Sequence, residues 1–141
     1  MSTMVVGVQL KWISGLKYNI QIRGKHKLMV DAASEVKDGD EAPSPVDLLA
    51  AAVGACLASS FTFCASKVRA ELADLTVSVQ AEISRVEGYL RVTGLNVTIN
   101  PQFLEKATEK KQERCIALFR NYCTVTESVT RGIPVNITVK T

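Results

Sequence analysis

The sequence predicts an α+β fold with antiparallel sheets, and two observations support this class. Short runs of alternating apolar and polar residues, typical of half-buried strands, occupy both the N-terminal part and the middle of the chain. Between them, residues 44–67 form a long and almost chargeless stretch that reads as a helix. The resulting order, β-β-β-α-β-β-α-α-β, groups strands together instead of alternating each with a helix, which indicates antiparallel pairing.

Each element follows from its own pattern. Alternating runs over 6–12, 18–22 and 28–30, punctuated by Gly15 and Gly24, predict a meander, and the polar residues 31–44 predict a loop. Further strands are expected over 75–83 and 90–99, with a turn at Glu87-Gly88. We expect Pro101 to open a second helix that ends near Tyr122. A short helical turn over 124–130 and a strand over 135–139 complete the chain.

Length and composition set limits on function. A chain of 141 residues predicts one domain over 1–141. The net charge of +3 is dispersed along the chain, so we expect no nucleic-acid partner. The N-terminus reads as a strand and not as a secretion signal, which predicts a cytoplasmic protein. The four cysteines contain no CxxC pair and His26 is the single histidine, so we expect no metal site.

The long helix has a clear start. Ser44 suits the N-cap, Pro45 the first helical position, and Asp47 the third position of a capping box. The uncharged stretch from Leu48 to Ser66 is nearly long enough to span a bilayer, but its centre consists of small residues. We therefore expect a buried core helix and no membrane partner.

Cys56 lies near the middle of this helix. At 100° per residue its neighbours on the same face are mostly small, and such a face leaves room for a pocket or for a closely packed neighbour. The neighbours that we predict to line such a pocket are Ala52, Val53, Ser59 and Ser60. From the helix alone, Cys56 also fits the role of a small buried apolar residue.

Several motifs in order resemble one known family. They are IRGKHKLMVD, PSPVDLLAAAVGAC, and YCTVTESV followed by GIPV, which together reach across nearly the whole chain. This pattern is similar to the OsmC/Ohr family, named for osmotically inducible protein C and organic hydroperoxide resistance protein. The resemblance implies antiparallel sheets around a long central cysteine-bearing helix, in an intertwined homodimer.

The resemblance also implies a thiol peroxidase that reduces organic hydroperoxides. Cys56 matches the peroxidatic cysteine, which becomes a sulfenic acid, and Cys123 matches the resolving cysteine that forms the disulfide. Cys123 also comes just before a short helix, whose N-terminus favours a thiolate. An external dithiol of the lipoyl or thioredoxin type would restore both thiols, and no cofactor is expected. Cys64 and Cys115 match no family site and are expected in the core.

The sequence departs from characterised hydroperoxide reductases at two positions. Val46 stands where those proteins have a glutamate, and no arginine occurs before Arg23. Lys17 is a candidate replacement for the arginine and Glu127 a weaker candidate carboxylate, while Val46 would make the pocket more apolar. The pattern SPVDLL…GAC is closer to the less characterised branch of the family.

Two other functions stay open at this point. A non-catalytic dimer that binds a small apolar or electrophilic ligand beside Cys56 would use the same small-residue face. A redox sensor would use the same two cysteines but would show stoichiometric oxidation without turnover.

Overall fold

The computed structural model describes residues 2–32 and 41–141, and the chain divides into two compact units, Met1–Leu49 and Ala50–Thr141. The predicted α+β class, with antiparallel sheets and a long helix, is confirmed. The homodimer and the single domain over 1–141 stay predictions.

The first unit contains the predicted meander. Strands β1 (Val8–Ser14), β2 (Lys17–Ile22) and β3 (His26–Asp31) form an antiparallel sheet in that order. In its register Leu10 pairs with Ile20, which in turn pairs with Leu28. The predicted loop over 31–44 falls partly on residues 33–40, which lie outside the described residues.

Helix α1 (Pro45–Lys67) begins with the capping box that the sequence predicts. The Asp47 backbone N–H donates to Ser44 Oγ at 3.1 Å, and the Ser44 N–H donates to Asp47 Oδ2 at 2.9 Å. Two N–H groups that the first helical turn leaves without partners are thereby satisfied. By length and composition alone α1 also passes the test for a membrane span, as core helices of soluble proteins do.

The second unit is built on a long hairpin that packs against α1. Strand β4 (Leu72–Val86) pairs with β5 (Tyr89–Phe103) through a two-residue turn in which Glu87 and Gly88 both have positive φ, 52° and 86°. Gly54 of α1 approaches β4 so closely that an added Cβ would lie 2.9 Å from Val79 Cγ2. The glycine therefore sets the distance between helix and sheet.

Buried side chains join α1 to the hairpin and to the elements that follow it. Phe61 packs against Phe103 and Phe119, with ring centroids 6.1 and 5.2 Å away. Cys64 and Cys115 are fully buried in the same cluster, so their predicted place in the core is confirmed.

The helix predicted from Pro101 is wrong in its first part. Pro101 lies in β5, opposite Leu75, and α2 spans only Glu109–Leu118. Proline is tolerated because the sheet has two strands, so each has an unpaired edge on which the missing N–H costs nothing. Thr108 caps α2 by accepting a hydrogen bond from the Lys111 N–H at 3.3 Å.

The last elements of the chain position Cys123, which matches the resolving cysteine of the family. A 3₁₀ turn (Phe119–Tyr122) follows α2 directly, and α3 (Thr124–Arg131) begins after Cys123. The strand predicted over 135–139 is not formed. These residues have the alternating sequence pattern of a strand, but they pair with no strand in the described part of the chain. Their apolar side chains are exposed.

Candidate functional site

Cys56 and Cys123, the two cysteines that match the family pattern, lie side by side. The Cys123 thiol donates to Cys56 Sγ, with 3.1 Å between the sulfur atoms, although 67 positions separate the residues. Cys56 comes from the middle of α1, and Cys123 is the N-cap residue of α3. The 3₁₀ turn fixes the approach of Cys123, whose N–H bonds to the Arg120 carbonyl at 3.1 Å. A disulfide bond length is about 2.05 Å, so bond formation requires closure by about 1 Å.

The start of α3 supplies backbone donors to the Cys56 sulfur. The Val125 N–H donates to it at 3.3 Å, and the Thr126 N–H also contributes. These are among the first N–H groups of a helix, which have no intrahelical acceptor and carry the positive end of the helix dipole. A negative sulfur at this position is therefore stabilised.

Opposing effects act on the pKa of Cys56, and the lowering effects prevail. Burial raises this pKa, but hydrogen bonds from the Cys123 thiol, the two α3 amides and the Ser60 hydroxyl bring it below its usual value. Cys56 is also partly exposed, whereas Cys123 is 2% exposed. A lowered pKa increases the fraction of thiolate, which is the nucleophilic form of cysteine, and partial exposure lets a substrate reach it.

Cys56 opens onto a groove of about 620 Å³. Small side chains of α1 and two aromatic rings line this groove. The lining residues are Ala52, Ala55, Ser59, Ser60, Phe63, Tyr122, Thr124 and Val125. The Phe63 and Tyr122 rings meet edge to face, with centroids 5.0 Å apart. The groove therefore offers a mostly apolar path to the sulfur.

The predicted pocket residues have different positions. Ala52, Ser59 and Ser60 line the groove. Val53 instead points into the core, where it packs in one cluster with Leu57 and Cys123. Val46 lies in the first turn of α1, in the other compact unit.

The two candidate activating residues each have an ion-pair partner. Lys17 Nζ lies 2.6 Å from Glu41 Oε2 within the first unit, and this pairing raises the pKa of Lys17. Glu127 Oε1 lies 2.7 Å from Arg120 Nη2. Together with Cys123, this second pair lines a polar cleft of about 630 Å³. A role for either residue in catalysis stays a prediction.

Sequence reasoning missed several contributors to the site. The amides of Val125 and Thr126 act through the backbone, so side-chain identity gives no signal for them. Phe63 and Tyr122 each lie at helical spacing from other apolar residues of their own segment, a pattern that usually indicates a place in the core. No cluster of metal-ligating side chains occurs in the part of the chain that the structure describes.

Comparison with known proteins identifies the family of this chain. The sequence model of one family, described as OsmC-like protein, matches residues 37–138. The chain belongs to the OsmC-like family. Among curated proteins, Protein YhfA of Escherichia coli K12 is 30% identical over 74 residues. The match covers 52% of each chain, so this protein aligns with about half the length of the curated relatives it matches.

Solved structures share the OsmC-like fold. An OsmC-like protein from Mycoplasma pneumoniae superposes with a TM-score of 0.76 at 13% identity, covering 92% of this chain and 89% of the other. The organic hydroperoxide resistance protein OsmC from Legionella pneumophila gives a TM-score of 0.67 at 17% identity, covering 92% and 91%. At these identities the likeness shows the fold.

Proposed function

We propose that this OsmC-like protein is a cysteine-based peroxidase that reduces organic hydroperoxides to alcohols. The observation that carries the proposal is the 3.1 Å separation of Cys56 Sγ and Cys123 Sγ, with Cys56 lining an apolar groove. The printed names of solved relatives, which include organic hydroperoxide resistance proteins, support the substrate class.

The first step is nucleophilic attack by the Cys56 thiolate. Its sulfur bonds to the terminal oxygen of the hydroperoxide, the O–O bond breaks, and the alkoxide leaves with the electron pair and takes a proton to become the alcohol. Cys56 is then a sulfenic acid. The α3 amides and Ser60 favour the thiolate that this step requires.

The second step closes a disulfide. Cys123 sulfur attacks Cys56 sulfur and expels hydroxide, which leaves as water with the Cys123 proton. An external dithiol of the lipoyl or thioredoxin type then reduces the disulfide by two exchange steps through a mixed disulfide. The cycle needs no resident cofactor, and we place it in the cytoplasm, where thiols are kept reduced.

We also propose that the protein works as a homodimer. Apolar side chains on β1 are exposed, among them Val8, Leu10 and Trp12, and so are those of the unpaired C-terminal segment. Exposed apolar side chains that form a contiguous patch are typical of association sites.

The test follows consumption of cumene hydroperoxide by reduced protein with a dithiol present. We expect catalytic loss of peroxide and, without dithiol, a Cys56–Cys123 disulfide mapped by mass spectrometry. Cys56→Ser should abolish consumption, and Cys123→Ser should leave a sulfenic acid that dimedone traps. Cys64→Ala is the matched control, since its thiol lies in the core. Equal peroxide loss in Cys56→Ser and wild type would refute the proposal.

The groove itself supports a second candidate, binding of an apolar ligand without turnover. In that case the reduced protein would leave cumene hydroperoxide intact, and calorimetry with an apolar ligand would show a negative heat-capacity change. Oxidation of one protein equivalent without turnover would instead indicate a redox sensor.

A further inference from the structure

We propose that Lys67 recognises the anionic end of a long-chain substrate whose hydroperoxide group reaches Cys56. This inference rests on the proposed function and narrows its substrate to an apolar chain that carries a carboxylate. It makes Lys67 a specificity-determining residue beside the groove.

Helix geometry places the residues that would contact the two ends of such a substrate on one face of α1. Cys56, Phe63 and Lys67 are separated by seven and four residues on the continuous helix α1. At 100° per residue, Phe63 and Lys67 each lie within about 20° of Cys56 around the helix axis. The sulfur, an aromatic wall and a cation therefore follow each other along one face.

The cation sits directly at the aromatic wall. Lys67 Nζ lies 5.6 Å from the centroid of the Phe63 ring and 5.7 Å from that of Tyr122. Both rings line the groove that leads to Cys56. The ammonium thus lies beside two residues that line the groove, and its position fits a carboxylate on a ligand bound there.

No carboxylate among the described residues forms an ion pair with Lys67. Among the described residues, the ion pairs join Lys17 to Glu41 and Arg120 to Glu127, while the Lys67 ammonium lies over the two rings. Its charge remains available to an anionic ligand, and the rings shield one side of the resulting pair from water.

The spacing defines the length of the ligand. The helix rises about 10 Å from Cys56 to Phe63 and about 16 Å to Lys67, at 1.5 Å per residue. An extended chain advances about 1.2 Å per bond. The oxygen-bearing carbon should therefore lie roughly nine to thirteen bonds from the carboxylate, and a carboxylate next to that carbon cannot reach Lys67.

A binding experiment tests this inference without relying on turnover. The probe is 12-hydroxyoctadecanoic acid, an alcohol of the product type, compared with its methyl ester by calorimetry below the micellar concentration. We expect wild type to bind the acid about threefold to tenfold more tightly than the ester, the range for a partly shielded ion pair. Lys67→Gln should remove this difference and leave the ester affinity unchanged.

Two controls make the result specific. Lys110→Gln changes an exposed lysine of α2 that does not line the groove, and it should keep the preference for the acid. With 2-hydroxyoctadecanoic acid, whose hydroxyl adjoins the carboxylate, wild type should show no Lys67-dependent preference. An acid-to-ester ratio of one in wild type, or the same ratio in Lys67→Gln, would overturn the inference.

Cumene hydroperoxide separates this inference from the proposed function. It has no carboxylate, so its consumption by wild type reports the peroxidase chemistry independently of carboxylate recognition by Lys67. If wild type leaves cumene hydroperoxide intact but prefers the acid through Lys67, the peroxidase chemistry fails and the ligand class stands. If turnover is normal and the preference is absent, only the role of Lys67 fails.

Discussion

The sulfur of Cys56 lies 3.1 Å from the sulfur of Cys123, and the N–H of Val125, two residues after that second cysteine, also points at Cys56, at 3.3 Å. One short segment therefore supplies both a partner for disulfide formation and a donor that stabilises the thiolate. Because the segment begins an eight-residue helix, the helix dipole acts in the same direction. This arrangement gives Cys56 an activating environment that does not require the glutamate absent at Val46.

Ser60→Ala should raise the pKa of Cys56. The Ser60 hydroxyl is one of the groups that lower this pKa, and it also donates to the Cys56 carbonyl oxygen at 2.8 Å. The midpoint of the pH dependence of iodoacetamide alkylation at Cys56, read by peptide mass spectrometry, should therefore move upward. Wild type should have its midpoint below that of the same thiol in the urea-unfolded protein, because the pKa of Cys56 is lowered in the folded chain.

Ser59→Ala is the matched control for that measurement. Ser59 makes the same type of bond, from its hydroxyl to the Ala55 carbonyl at 2.8 Å, but does not contribute to the pKa of Cys56. Its alkylation midpoint should equal that of wild type. An equal upward movement in both variants would show that Ser60 acts through the helix and not on the sulfur.

Gly54→Ala should destabilise the protein. The new Cβ would lie 2.9 Å from Val79 Cγ2, so helix and strand must separate or a side chain must leave its rotamer. Overpacking of this kind costs about 1–3 kcal/mol, measured as the free energy of unfolding in urea.

A double-mutant cycle identifies the cause. Val79→Ala removes the methyl group that the new Cβ would meet, so Gly54→Ala should cost much less in that background. A full cost in both backgrounds would place the strain elsewhere in α1.

The sequence allowed several elements to be predicted because their signals are local. The capping box at Ser44 and Asp47 and the turn at Glu87-Gly88 each depend on residues that are adjacent or within one helical turn. Pro101 misled the prediction, since its cost in a strand depends on whether a neighbouring strand needs its N–H. The groove at Phe63 and Tyr122 is formed by distant parts of the chain, and no local pattern reports that meeting.

Removing the N-cap should weaken the start of α1. Ser44→Ala deletes the oxygen that accepts the Asp47 N–H at 3.1 Å, and loss of such a cap costs about 1 kcal/mol. Urea denaturation measures this change. Ser66→Ala, at an exposed serine near the other end of the same helix, should alter stability by less than about 0.5 kcal/mol. Equal losses would mean that the capping oxygen is not what stabilises this end.

The buried thiol of Cys115 should make the protein less stable at alkaline pH. Burial, together with the neighbouring Cys64, raises the pKa of Cys115 from 9.0 to about 12. The folded chain thus keeps a proton that the unfolded chain releases above pH 9. This contribution to stability is complete below the unfolded pKa and is lost as pH rises from there toward 12, by about 1.4 kcal/mol per pH unit.

Unfolding in urea with reductant, at pH 8 and at pH 10, measures that loss. Other groups also titrate in this range, so the informative quantity is the difference between wild type and Cys115→Ala. The variant starts less stable because it loses core packing, but it should lose about 1 kcal/mol less between the two pH values. Phe119→Leu, which weakens the same cluster and keeps the thiol, should lose as much as wild type does. If Cys115→Ala and Phe119→Leu show the same pH dependence, the Cys115 thiol is not the group responsible.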